Sequence, residues 1–246
     1  IDAATGQVRR VHRAPQSKDG LPRVWGYVGY WNGTLFGTST MRKELERSLR
    51  RRGHTVSNTT DAIFAIDVAT GEQRWLYRGK NILHVTIAIG DDRAFFIDSS
   101  ISKQQREELL RQDKTELRKL NAEEAKKKEA ELKELDIRSA VALDVRTGQS
   151  LWSQPVDVTD CSYVGIGGGQ LTLIYHNGHV LICGANANGH YWSQFIAGEF
   201  KKRRLVALSS VNGYKLWSKD ANYRHRPIVV GSRIIAEPWS YELKTG

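Results

Sequence analysis

The chain has 246 residues, 40% of them hydrophobic, enough for a domain with its own core, and no run approaches the roughly 18 consecutive apolar residues of a membrane helix. Its 37 Lys and Arg against 27 Asp and Glu give a formal charge of +10, which excludes an acidic solvating segment and favours anionic partners. Two cysteines are too few for a disulfide framework.

From the start, "IDAATGQV" reads as a partial copy of a phrase that returns later, followed by the basic "VRRVHR". "YVGYWNGTLFGTST" (Tyr27 to Thr40) is strand, Asn-Gly, strand, a strong hairpin signal. Met41 to Asp61 loses strand periodicity and carries the basic "MRKELERSLRRRGH". "AIDVATGEQRW" (Ala65 to Trp75) reads as strand, tight turn, strand, and "VTIAIGDDRAFFIDSS" as the next hairpin. A second insertion, Ile101 to Arg138, is helical over Ser102 to Asp136, as one long helix or a helical hairpin. Ser102 with Gln105 and Asn121 with Glu124 have capping-box spacing, and Leu109, Leu110, Leu117, Leu120, Leu132 and Leu135 form a narrow stripe among paired charges.

The phrase then returns as "ALDVRTGQSLW" (Ala142 to Trp152). "GIGGGQ" (Gly165 to Gln170) leads into a strand and lacks the helix N-terminus that a dinucleotide loop needs. "LTLIYHNGHVLICGAN" (Leu171 to Asn186) is another Asn-Gly hairpin whose flanking His176 and His179 point to one side; an exposed cross-strand pair is the commoner meaning, with no ligand-spaced Asp, Glu or Cys beside them. A third insertion, Ala185 to Arg204, holds "ANANGHYW" and "EFKKRR". "ALSSVNGYKLW" (Ala207 to Trp217), "IVVGSRIIAEPW" and the closing "YELKTG" complete the series.

The recurring residues are Asp67, Gly71 and Trp75; Asp144, Gly148 and Trp152; then Gly213 and Trp217. The Gly suits a turn position of positive φ, the Asp accepts hydrogen bonds from backbone amides at the turn's entrance, and the Trp at one fixed place suits packing between neighbouring units. With the three insertions removed, the units approach the roughly 40 to 45 residues of a four-stranded propeller blade. Each blade then reads strand A, tight turn, strand B, variable loop, strand C, D-x-x-T-G turn, strand D with its Trp.

The A-[LI]-D-x-x-T-G-x-x-x-W phrase resembles the PQQ-like repeat of quinoprotein β-propellers, found in quinoprotein alcohol dehydrogenases and BamB-type outer-membrane assembly factors. Longer phrases such as "DANYRHRPIVVGSRIIAEPW" resemble BamB-like propeller proteins of planctomycete-type bacteria. The resemblance implies an all-β propeller of four-stranded blades, with about four blades of an eight-bladed ring across residues 1–246, truncated at both ends; the helical insertion at 102–136 lies outside it. The resemblance also implies export to the periplasm or cell envelope. Closure of a four-bladed ring by the two chain ends is the alternative. Quinoprotein dehydrogenases use an adjacent cysteine pair beside the quinone and a calcium site. This chain has no Cys-Cys, and Cys161 and Cys183 read as two buried thiols or a disulfide.

The insertions all fall between strands B and C, so equivalent blades would bring them out on one face. The expected binding face comprises Arg50, Arg51, Arg52, Asn186, Asn188, His190, Trp192, Lys201, Lys202, Arg203 and Arg204. Its partner would be a protein or an anionic envelope polymer; nucleic acid is disfavoured because no aromatic-interleaved motif accompanies the arginines. No catalytic or metal site is expected, and no cofactor, PQQ entering only through the resemblance. The expected function is a non-catalytic scaffold or binding module, with a PQQ-dependent oxidoreductase, or a propeller attached to a catalytic domain, as the alternative.

Overall fold

The computed structural model describes residues 2–16, 20, 23–53, 59–99, 101, 104, 118–133, 135–161, 169–186, 203–223 and 225–246. The chain is mostly β, and its strands run up and down in antiparallel groups. Blade 1 is β1 (Arg23–Trp31), β2 (Thr34–Met41), β3 (Thr59–Asp67) and β4 (Gln73–Leu83). Blade 2 is β5 (Ala88–Gly90), β6 (Arg93–Asp98), β7 (Ile137–Asp144) and β8 (Ser150–Asp157). Blade 3 is β9 (Gly169–His176), β10 (His179–Asn186), β11 (Arg204–Ser209) and β12 (Lys215–Asp220). Blade 4 has β13 (Ile228–Val230), β14 (Arg233–Ala236) and β15 (Trp239–Glu242). A single residue pair, Ile82 with Asp98, joins the sheets of blades 1 and 2.

Three apolar clusters hold the blades together, one for each successive pair. Between blades 1 and 2 lie Phe36, Ile63, Ala65, Trp75, Phe96 and Leu143. Phe95, Ala142, Trp152, Leu173, Val180 and Val206 fill the space between blades 2 and 3, and Leu181, Leu205, Ala207, Tyr223, Ile234 and Ala236 that between blades 3 and 4. The first strands β1, β5, β9 and β13 pack against one another in succession. Face-to-face four-stranded meanders with adjacent innermost strands are the architecture of a propeller.

The repeated phrase has one geometry throughout. Asp2, Asp67 and Asp144 each accept hydrogen bonds on Oδ1 from the amides two and three residues on, at 2.8 to 3.0 Å. The following Gly has φ between +69° and +79° in every copy, including Gly246. Each Trp lies opposite an alanine, Ala65 with Trp75, Ala142 with Trp152 and Ala207 with Trp217, and a bulge beside that pair recurs in all three blades. The small partner leaves room for the ring. The indole Nε1 then donates across the blade boundary, Trp75 to Val145 O, Trp152 to Ser210 O and Trp217 to Leu243 O, all at 2.9 Å.

Among the described residues, nothing covers the outward faces of blades 1 and 4. Val28 and Tyr30 of blade 1 are 62% and 66% exposed, and Ile228 and Val230 of blade 4 are 58% and 61% exposed.

Candidate binding face

Up-and-down strand order sorts the connections to two ends. At one end the A–B and C–D turns are tied together in each blade by Val68 N–H to Gly33 O, Val145 N–H to Asp92 O, Ser210 N–H to Gly178 O and Leu243 N–H to Ser232 O, at 2.7 to 3.1 Å. The opposite end carries all three B–C insertions, because β2, β6 and β10 all finish there.

The first insertion forms α1 (Lys43–Arg51). Its acids, Glu44 and Glu46, sit in the first turn and its bases, Arg50 and Arg51, in the last, the arrangement that complements the helix dipole. Leu45 and Leu49 are half-buried, while Arg47, Arg50, Arg51 and Arg52 are exposed. Arg50 pairs with Glu46 at 2.9 Å across one helical turn. Among the described residues no carboxylate lies within ion-pair distance of Arg47, Arg51 or Arg52. These three border a shallow depression with Glu44 and Ser48. Three guanidinium groups against the one carboxylate of Glu44 leave the concavity with an excess of positive charge, suited to carboxylate or phosphate oxygens.

Three framework arginines at the same end are neutralised. Arg78 pairs with Asp61 at 3.0 Å, Arg138 with Asp136 at 2.8 Å, and Arg204 with Asp157 at 2.8 Å. Arg204 also donates from Nε to Ser218 Oγ at 2.7 Å. Burial alone would raise the Asp157 pKa, but hydrogen bonds from Thr159 and Arg204 hold it below the usual carboxylate value. The buried carboxylate of Asp98 accepts the Lys80 and Asn81 amides at 2.9 Å each, beside the pair that joins blades 1 and 2. Buried His84, 2.7 Å through Nδ1 from Thr38 Oγ1, has its pKa lowered by burial. Apart from Arg138 with Asp136 and Thr159 with Asp157, these contacts join residues 14 to 47 positions apart, beyond the reach of local sequence patterns.

Of the residues expected on the face, Arg50, Arg51 and Arg52 occupy α1 and its C-terminal cap. Asn186 ends β10, and Asn188, His190, Trp192, Lys201 and Lys202 lie outside the described residues. Arg203 is a correction: it is 1% exposed, with its guanidinium carbon 4.9 Å from the centre of the Tyr223 ring, and contributes nothing to the surface. Its charge is stabilised there by the aromatic face. Tyr223 in turn accepts the Gly184 amide on its hydroxyl at 2.8 Å. Tyr223→Phe is therefore expected to cost about 1 to 3 kcal/mol, the penalty for leaving a buried amide without its acceptor, read as a shift in a urea melt; Arg51→Ala should leave the midpoint unchanged.

Of the two forms expected for the helical insertion, one long helix or a helical hairpin, the first is corrected, and residues 105–117, on which the second depends, lie outside the described residues. Residues 118–120 form a turn, Asn121 Oδ1 accepts the Glu124 amide at 2.9 Å, and α2 (Ala122–Lys133) starts there, so one uninterrupted helix from 102 to 136 is excluded. Leu132 is buried and Leu120 exposed, while Leu109, Leu110 and Leu117 lie outside the described residues.

Cys161 and Cys183 are free and buried. Burial pushes the Cys183 thiol up to about 11 and raises that of Cys161 as well, leaving neither poised as a thiolate. The two lie apart, Cys183 on β10 and Cys161 in the connection before β9, and they do not form a disulfide. His176 and His179 are register partners across the β9–β10 hairpin, and no group of three His, Cys, Asp or Glu at metal-binding geometry occurs among the described residues. No helix among them is long and apolar enough to cross a membrane.

No protein-family profile matches the chain, and no curated protein sequence matches it. Solved structures do resemble it at low identity. A europium-containing methanol dehydrogenase is 14% identical with a TM-score of 0.41, over 79% of this chain and 24% of that one. BamB from Moraxella catarrhalis is 16% identical with a TM-score of 0.39, over 90% and 48% of the two chains. The β-propeller domain of the Trilobed protease from Pyrococcus furiosus is 8% identical with a TM-score of 0.41, over 88% and 52%. This chain thus spans about a quarter to a half of the lengths of these three. The propeller architecture rests on the strand order and the inter-blade cores, not on these likenesses.

Proposed function

We propose that the protein is a non-catalytic propeller module that holds an anionic partner, a protein acidic patch or an envelope polymer, against the end that carries the insertions. The observation that supports this reading is the α1 arginine cluster. At an end where Arg78, Arg138 and Arg204 each have a carboxylate, Arg47, Arg51 and Arg52 have no ion-pair partner among the described residues and line a depression in which Glu44 is the single acid against three bases. A surface that served solubility alone would not require unpaired charges to be gathered at one concavity. The rigid blades below supply positioning, and the partner supplies the counter-charge. Placement in the periplasm or cell envelope follows from the repeat resemblance and belongs to the same proposal.

The test is capture from envelope extract by wild type and by a variant carrying Arg47→Gln, Arg51→Gln and Arg52→Gln. Binding should fall steeply as the Debye length shortens below about 8 Å, and the variant should retain less than about a tenth of wild-type capture, while its melting temperature stays unchanged because exposed charges add little to stability. Capture of the same partners by both proteins at high salt would end this reading.

A further inference from the structure

The two end faces of the blade stack are the halves of an interface that the chain already builds three times. Tyr30 stands two residues before the turn at Asn32-Gly33, the place held by Ile89 in blade 2, Tyr175 in blade 3 and Val229 in blade 4. Each of those three packs against the core shared with the preceding blade; Tyr175 stacks on Phe95 with ring centres 5.2 Å apart and planes 17° apart. Tyr30 alone is exposed.

The reciprocal position is three residues beyond the same turn, facing the following blade. Phe36, Phe95 and Leu181 occupy it in blades 1, 2 and 3 and are buried. Ile235 occupies it in blade 4 and is 40% exposed, with Ile228 and Val230 exposed on the same face.

A separate observation concerns the outer edge. Arg10 lies four residues after Gly6, the offset that separates each Trp from its turn glycine. Its side chain covers Gly71 and its Nη1 donates to Ala69 O at 3.0 Å. Trp75 covers Gly148 and Trp152 covers Gly213 in the same manner. Residues 7–11 therefore lie where the outermost strand of a blade preceding blade 1 would run, and β15 is a sheet edge with no strand beside it among the described residues.

We propose that two copies of the chain associate head to tail, the blade 4 face of each (Ile228, Val230, Ile235) covering the blade 1 face of the other (Val28, Tyr30), with β15 alongside residues 7–11 of its neighbour. The occupant is a second copy because the chain's own blade 4 face has the side-chain pattern that the blade 1 face meets elsewhere in the stack. A heterologous contact of this kind closes only if its rotation permits, and otherwise propagates into filaments. Two copies give each blade two neighbours. The proposal is independent of the anion-binding reading.

The full chain is examined by sedimentation over a dilution series, with Tyr30→Asp and Val230→Asp made separately. Wild type should sediment at twice the 27.8 kDa chain mass. Both variants should be monomeric, with association weakened at least about a hundredfold by a charge placed in an apolar contact, and melting temperatures close to that of a diluted wild-type monomer, since both residues are exposed in the single chain. An equimolar mixture of the two variants should recover a dimer, because it keeps one intact contact between the native blade 4 of one chain and the native blade 1 of the other. A monomeric wild type, open-ended filaments, or dimers that survive both substitutions would each overturn the proposal, as would a mixture that stays monomeric. A monomeric wild type would assign these faces to further repeats of the same polypeptide.

Discussion

Replacing Trp152 with alanine is expected to lower the unfolding free energy by about 3 to 5 kcal/mol, the range for truncating a large aromatic side chain in a core. The ring lies 6.0 Å from Phe95 in its own blade, and its Nε1 is bonded to Ser210 O of the next blade. It also roofs Gly213, where a Cβ would come within 2.5 Å of the indole. Alanine would open a cavity between blades 2 and 3 and strip a buried carbonyl of its donor at the same time. Neighbouring side chains cannot fill the gap, because they project from two rigid sheets. Equilibrium denaturation read by far-UV circular dichroism decides the matter, and a loss under about 1 kcal/mol would show that the ring is not a packing element.

Gly148→Val should be of comparable severity, at about 2 to 5 kcal/mol. Two costs act together there. With φ at +71°, a side chain pays the left-handed penalty of about 1 to 2 kcal/mol. A Cβ would also sit 2.6 Å from Trp75 Cδ2, and forced overpacking of that kind adds about 1 to 3 kcal/mol. Gly33 separates the terms, since its φ is +75° but nothing lies within 4 Å of its Cβ position. Gly33→Ala should therefore cost only about 1 kcal/mol. Equal denaturation midpoints for Gly33→Ala and Gly148→Ala would mean that the indole does not press on the turn.

The fold was legible because its signals are local and periodic. Asn-Gly turns, glycines of positive φ and a Trp at fixed offset are each decided within about a dozen residues, and their recurrence lets one copy check another. The alanine facing each Trp stood in the same phrase, yet its role required the strand register, since Ala65 and Trp75 become neighbours only through the β3–β4 pairing. The binding face was less legible. Residue type alone put Arg203 with its basic neighbours, whereas burial against Tyr223, 20 residues further on, decides its role. Arg204 likewise looked like surface charge until Asp157 came beside it. Arg47 was passed over in favour of the contiguous Arg50 to Arg52, although one helical turn brings it to the same depression as Arg51. Arg10 carried a readable signal, its four-residue offset from Gly6, but the change from indole to guanidinium concealed it.

The indole links have a polarity that bears on cooperativity. Every donor belongs to the earlier blade and every acceptor to the later one, so each blade boundary is latched from its N-terminal side. A linear series of four units with three such boundaries behaves as a chain of nearest-neighbour couplings, in which inner units are restrained twice and outer units once. Losing the last blade would leave Trp217 without its acceptor and expose the third core, and blade 3 would then become the frayed end in its turn. Losing blade 1 would remove a donor from Val145 and leave the latches further along intact. Unravelling from the two ends is thus chemically unequal, although the repeats that come apart are built to one pattern.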